Sequence, residues 1–351
     1  MSKRIEEIDK NFKQSQSVGK PDIKFHDVLE APFSIHGVFM QDGMFRRIPE
    51  SVAKSVNDGV HILHANTAGG RIRFMTDSPY VAICAELDSV CRIARGALTG
   101  TAGFDLYAKH PEGERYMGTF TPPYEGETIE SIIELGNSQM REITINMPLY
   151  TNVKEVYIGL SNKAQILPPK PYTYATPTVY YGSSITQGGC ASRPGNSYQA
   201  MISRRFDLEY INLGFSGSAR AEDTITDYIN ALDMKIFVYD YDHNSPSFEH
   251  LNSTHEKMFL AIREKHPDLP IIMMSRPVYF PLGYEKERLV IHETTYKNAL
   301  ARGDKNVYYL DGKELMKYAL GDGNVDRCHP NDLGFASMAK VVGDLMEKIL
   351  E

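Results

Sequence analysis

Nucleophilic chemistry needs a hydroxyl or thiol, a base and a group that orients the base, and four stretches of this sequence offer such residues at the ends of strand-like runs. Ser184 stands in Tyr181-Gly182-Ser183-Ser184-Ile185-Thr186-Gln187-Gly188-Gly189, after the apolar run Val179–Tyr181 and ahead of a helical pattern that starts near Ser197. A strand that stops in glycines and small hydroxyl residues leaves one side chain exposed at its carboxyl end, the edge where open parallel sheets bind ligands. A serine there can attack a carbonyl once a base takes its proton. Gly-Ser-Ser alone is a common loop sequence, so the reading rests on three further pieces. After Leu208–Leu213 the chain turns through Asn212-Leu213-Gly214-Phe215-Ser216-Gly217-Ser218. After Met234–Tyr239 it continues Asp240-Tyr241-Asp242-His243-Asn244-Ser245-Pro246, and Asp326-Arg327-Cys328-His329-Pro330 precedes the last helical stretch. Each piece falls where a parallel sheet ends a strand or begins a helix, so all four can converge on one edge.

This ordered set resembles the SGNH hydrolases, the GDSL-like esterase superfamily, whose four blocks carry Ser, Gly, Asn and His in that order. The matching residues here are Ser184, Gly217, Asn244 and His329, and the Asp326-x-x-His329 pair resembles the family's C-terminal block. The resemblance covers roughly Thr176 to Glu351 and implies a flavodoxin-like three-layer α/β/α domain on a parallel sheet. It also implies roles. Ser184 would be the nucleophile, His329 the base that accepts its proton and returns it to the leaving alcohol, and Asp326 the group that orients the imidazole. The amides of Ser184 and Gly217 with the side chain of Asn244 would form an oxyanion hole. Gly214 is the alternative to Gly217, and glycine at 217 would let the backbone approach the substrate closely. His243 and Arg276 are candidate substrate contacts. One departure is Ser183, where the family usually has Asp, so the hydrogen bonds that Asp would make around the nucleophile's loop are not expected from that position.

Plainer readings exist for each residue taken alone: Ser184 in a turn, Asn244 capping a helix, Asp326 in solvent, and Asp332 as the cap of the last helix behind His329. None explains why four such residues fall at successive sheet-edge positions.

The elements that must position them divide the chain in two. At 351 residues a length prior suggests two domains. Residues 3 to 15 read as a short charged helix and 1–33 as a lead-in. From 34 to 165 short alternating strands such as Arg71–Met75, Glu142–Met147 and Glu155–Leu160, separated by turn residues, predict an antiparallel, jelly-roll-like β-sandwich. Within it Gly103-Phe104-Asp105-Leu106-Tyr107 resembles the G-x-D-L-Y signature of the sandwich that precedes one branch of SGNH esterases; a plain fastening role within the sandwich is the alternative for Asp105 and Tyr107. The proline-rich 166–175 reads as a stiff linker that holds the domains at a fixed distance. In 176–351 apolar runs of a few residues alternate with helices at Asn196–Phe206, Thr224–Leu232, Phe248–Lys265 and Glu285–Arg302, as buried parallel strands require. The last helix carries an apolar stripe of Phe335, Met338, Val342, Leu345, Met346 and Ile349.

Composition sets limits on partners. Of the residues 42% are hydrophobic and 24% charged, an ordinary soluble mixture, and the net charge of −7 with no basic stripe argues against a nucleic-acid surface. No apolar run approaches the roughly 18 residues of a membrane span, and the polar start lacks a signal-peptide core. Four scattered cysteines without metal-type spacing suggest free thiols and a cytoplasmic location. No glycine-rich stretch has the spacing of a nucleotide loop, so neither cofactor nor metal is expected. A homo-oligomer is compatible with the sequence. The expected substrate is a small acyl ester, acetyl foremost, of a sugar or oligosaccharide, held in part by Tyr279, Phe280 or Tyr284, since the chain has 21 tyrosines and no tryptophan. The alternatives are a lysophospholipase, general acyl esterase or thioesterase of the same fold, and a non-catalytic glycan-binding protein.

Overall fold

Alternation along Arg71–Thr76 sends Ile72 and Phe74 to one face of a sheet and Arg71 and Arg73 to the other, and the architecture follows from what each face meets. The computed structural model describes residues 5–9 and 18–351. Two antiparallel sheets make the N-terminal domain. One has the order Ile23–Asp27, Val153–Ser161, Tyr80–Leu87, Thr128–Glu134. The other runs Ile166–Leu167, Arg71–Thr76, Arg141–Asn146, Phe104–His110, Gly113–Phe120, with Ser34–His36 also paired to Arg71–Thr76. Ile72, Phe74, Leu106, Ile143 and Ile145 of the second sheet and Val81, Ile83, Ile129 and Ile158 of the first fill the space between them.

Two expectations about boundaries change. The strand Ile23–Asp27 pairs along its whole length with Tyr157–Ser161, so the sandwich begins at Ile23 and not at 34. It is a half-exposed edge strand, which is why its sequence carries little apolar signal. The proline-rich segment is no spacer: Ile166 and Leu167 pair with Thr76 and Met75, and the buried ring of Tyr172 lies 3.8 Å under the guanidinium of Arg73. Of the expected N-terminal helix, Ile5–Ile8 is helical and the remainder lies outside the described residues.

The C-terminal domain has a parallel sheet in the order Leu208–Gly214, Tyr174–Gly182, Ile236–Asp240, Ile271–Met274, Val307–Leu310. By chain position this is 2-1-3-4-5, the flavodoxin-like order. Successive strand residues face opposite layers. Val179, Tyr181, Phe237 and Tyr239 pack on the helices Asp223–Asn230, Phe248–Lys265 and Gly283–Ala301. Tyr180, Ile236 and Val238 pack on Tyr198–Phe206 and on the apolar stripe of Asp332–Leu350. The sheet is thus covered on both sides, and the strand order switches sides between its first and third strands, the point at whose carboxyl ends sheets of this kind open a crevice. Among the described residues no helix is long and apolar enough to cross a membrane.

The polar face of the second sandwich sheet is buried as well. Arg71 bonds Glu209 and the carbonyl of Tyr210 across the domain boundary. Asp105, fully buried, accepts hydrogen bonds from Asn146 Nδ2, from the amide of Gly195 and from Arg193 Nη1, each at 2.8 Å. The two domains are therefore in direct contact, and Asp105 and Tyr107 of the G-x-D-L-Y motif fasten the sandwich to Arg193 of its neighbour, not only to itself.

Candidate functional site

Gly182 ends the first parallel strand and must be glycine, because a Cβ there would collide with Asp240 and Thr186. Ser183 then caps a single helical turn, Ser184–Gln187, its Oγ accepting from the amide of Ile185, and Gly188 at φ 102° stops the turn. Ser184 consequently sits at a helix start, where the backbone N–H has no intrahelical partner. Its Oγ lies 2.9 Å from His329 Nε2. His329 Nδ1 lies 3.0 Å from Asp326 Oδ2, so that nitrogen carries the proton and Nε2 offers its lone pair to the serine. The three side chains form one hydrogen-bonded line.

Asp326 is held by its own loop. Its Oδ1 accepts from the amides of His329 at 2.8 Å and Cys328 at 3.1 Å, a turn that Arg327 closes at φ 63°. Burial alone would raise its pKa, but the His329 amide and ring outweigh that and hold the carboxyl well below the usual range. Asn331, not Asp332, caps the last helix; Asp332 instead accepts from Ser192 Oγ and from its amide.

Gly217 and Asn244 lie in neighbouring loops at the same edge. Asn244 Nδ2 donates one hydrogen to Phe215 O at 2.9 Å and has a second to offer. Gly217 is exposed at φ 69° and its missing Cβ would meet open space, so a left-handed backbone, rather than close approach of substrate, explains the glycine. Gly214 is excluded as an amide donor: its N–H is taken by Asn212 Oδ1 at 2.9 Å, and a Cβ there would strike the Ser184 turn.

The GDSL-like lipase/acylhydrolase family matches residues 175–350. The chain belongs to that family. Residues 23–166 match the domain described as the N-terminus of SGNH-hydrolase-type esterases and named for its GxDLY motif. Among solved structures a GDSL-like lipase from Bacteroides ovatus is 27% identical, with a TM-score of 0.84 over 93% of this chain and 98% of its own. The salicylyl-acyltransferase SsfX3 from a tetracycline biosynthetic pathway is 19% identical, with a TM-score of 0.74 over 94% of this chain and 98% of its own. A family two carbohydrate esterase from Cellvibrio japonicus is 11% identical, with a TM-score of 0.62 over 93% and 98%. These last two share the fold. No curated protein matches the chain at a significant level.

In this GDSL-like hydrolase the carboxylate missing at position 183 comes from elsewhere. Asp240, at the end of the third strand, accepts at Oδ1 from Thr186 Oγ1 at 3.0 Å and from Ser183 Oγ and N at 3.3 Å, so it braces the Ser184 turn from below. Burial pushes its carboxyl up to about 7. His243 Nδ1 is 3.4 Å from Cys328 Sγ, next to the His329 loop, and burial lowers its pKa to about 3, so the ring is neutral. Arg276 is tied to Glu285 at 2.6 Å and lies 5.7 Å from the centre of the Tyr284 ring. Asp326, Cys328 and His329 also bring three potential ligand atoms within 4.8 Å of one another. The carboxylate and imidazole are already spent on each other and on Ser184, and burial raises the Cys328 thiol to about 11, which suits proton transfer better than metal binding.

Two site residues of the sandwich carry no sequence signal. Tyr150 donates its hydroxyl hydrogen to Ser184 O at 3.1 Å, and Arg95 Nη1 donates to Asp326 Oδ2 at 2.8 Å. Gln187, one helical turn past Ser184, reaches Asn66 Oδ1 and Leu149 O of the sandwich at 3.0 and 3.1 Å.

Proposed function

We propose that this SGNH-type esterase removes small acyl groups, acetyl above all, from esters of sugars or oligosaccharides. The observation that carries the reading is the line from Asp326 through His329 to Ser184, with its 3.0 and 2.9 Å contacts. As the Ser184 oxygen attacks the ester carbonyl carbon, its proton passes to His329 Nε2, and Asp326 stabilises the imidazolium. The oxyanion is received by the amides of Ser184 and Gly217 and the free N–H of Asn244. Collapse expels the sugar alcohol, which takes the proton from His329, and leaves an acyl-serine. Water, activated by the same imidazole, then releases the carboxylic acid.

Two features support a carbohydrate leaving group. The Cellvibrio japonicus protein that shares both domains is a carbohydrate esterase. The exposed ring of Phe280 leans on Gly321, in the segment that leads into Asp326, and gives a sugar face a surface to stack on. The test is acetate release from acetylated oligosaccharides by the wild type and by Ser184→Ala, beside a p-nitrophenyl ester series of rising chain length. We expect release that Ser184→Ala abolishes and a preference for acetate over long acyl chains. A preference for long chains or lysophospholipid would transfer the enzyme to lipid substrates, and silence on every ester would favour a glycan-binding role.

A further inference from the structure

We propose that Arg95 is a positioning residue of the active site, lent by the sandwich domain to hold Asp326 in line with His329. The proposal rests on the reading of Ser184, His329 and Asp326 as the reacting line. Asp326 has about four acceptor positions on its two oxygens. Its own turn fills those of Oδ1, through the amides of Cys328 and His329. Oδ2 receives His329 Nδ1 at 3.0 Å and Arg95 Nη1 at 2.8 Å. Among the described residues Arg95 is thus the one group outside the segment 326–329 that grips this carboxylate, from a position 231 residues away in sequence. A turn closed by a left-handed Arg327 can shift as a unit, carrying Asp326 and His329 together. The guanidinium ties that unit to the sandwich, which elsewhere holds Ser184 through Tyr150. Nucleophile and acid are therefore both anchored to the sandwich domain, and misplacement by about 1 Å is enough to slow a reaction of this type severely.

The magnitude follows from exposure. The Arg95 side chain is 66% exposed while that of Asp326 is 11% exposed, so solvent screens the pair and its direct worth is small. We expect Arg95→Met to lower kcat on p-nitrophenyl acetate about fivefold, the equivalent of one such exposed contact, with KM unchanged. Arg95→Lys should recover most of the loss, because the contact uses one N–H and not the guanidinium fork. Arg95→Glu, which sets a like charge against Asp326, should fall below Arg95→Met. Raising ionic strength from about 0.01 to 1 M shortens the Debye length from roughly 30 to 3 Å and should bring the wild type towards Arg95→Met, which itself stays level. The proton NMR signal of His329 Nδ1–H reads the same contact without turnover and should broaden in Arg95→Met and return in Arg95→Lys. Wild-type kcat and an unchanged signal in Arg95→Met would overturn the proposal. So would a raised KM at constant kcat, which would make Arg95 a substrate contact. If no ester is cleaved by the wild type, the esterase reading fails while the NMR comparison still decides the role of Arg95.

Discussion

The hydroxyl of Tyr150, a residue of the sandwich, is bonded to the carbonyl oxygen of Ser184, a residue of the other domain, at 3.1 Å. That carbonyl also accepts from the amides of Gly189 at 2.8 Å and Gly188 at 3.1 Å, so it stays partnered when the phenol oxygen is removed. Tyr150→Phe should therefore cost only about 1 kcal/mol of stability, the net worth of one buried hydrogen bond. Because the lost bond orients the proposed nucleophile, kcat should drop severalfold with KM unaltered. Denaturant unfolding and steady-state kinetics on the same preparation check both; an undiminished kcat would mean that the turn holds its shape unaided.

Asn244 and Gly217 can be told apart by what each substitution removes. Asn244→Ala takes away a donor of the proposed oxyanion hole and should lower kcat by about 10²–10³, with little change in folding. Gly217→Ala keeps its amide and meets no clash, but forces φ 69° on a residue with a Cβ, at a cost of about 1–2 kcal/mol. Its melting temperature should fall while most activity survives at a temperature where it remains folded. The reverse pattern, activity lost at an unchanged melting temperature, would mean that substrate comes too close to Gly217 for a Cβ and that its backbone angle is not the reason for the glycine.

Asp240 predicts a pH dependence of stability. Its carboxyl is raised from 3.8 to about 7 by burial, so the folded state binds the proton more tightly than the unfolded chain does. Stability from this group is fully present below about pH 4 and is lost as pH climbs towards 7, with a slope of up to about 1.4 kcal/mol per pH unit. Asp240→Asn keeps the oxygen that accepts from Thr186 and Ser183 and removes the ionisation. Its unfolding free energy should lack that slope and equal or exceed the wild type's near neutrality, which urea titrations at a series of pH values would reveal. A wild type with no such slope would place Asp240 in its ordinary ionised form.

Asp105 offers the largest effect. Removing one partner of a buried charged pair leaves the other uncompensated, at about 3–5 kcal/mol. Asp105→Ala would strip the amide of Gly195, Asn146 and Arg193 of their common acceptor. Thermal unfolding should move down by several degrees or more, and activity should suffer too, since residues 190–196 run on from the nucleophile's turn. A melting point within a degree of the wild type would deny Asp105 its fastening role.

How much of this could be read beforehand depended on the range of the signal. The last helix was legible because Phe335, Met338, Val342 and Met346 repeat at helical spacing, and all four are buried. The Asp326-x-x-His329 pair was legible because both partners lie within one turn of chain. The strand Ile23–Asp27 was not, since an edge strand with one half-buried face needs few apolar residues. Arg95 and Tyr150 were beyond reach for a different cause. Their partners are distant in sequence, and an arginine in a loop reads as solvated until the fold shows what lies beneath it. Asp240 stood in plain view as the end of a strand, yet nothing in the order of residues told which loop it would brace.

The polar face of the second sandwich sheet, with Arg71, Arg73, Asp105 and Tyr107 all buried, bears on inheritance. A seam made of charges matches only the surface it was selected with. Recombination between the domains, near residues 166–175, would join a foreign sandwich to this hydrolase and leave Glu209 and Arg193 facing strangers. The two halves are accordingly expected to travel through descent as a pair, and chimeras between relatives to work only when both sides of the seam are exchanged together.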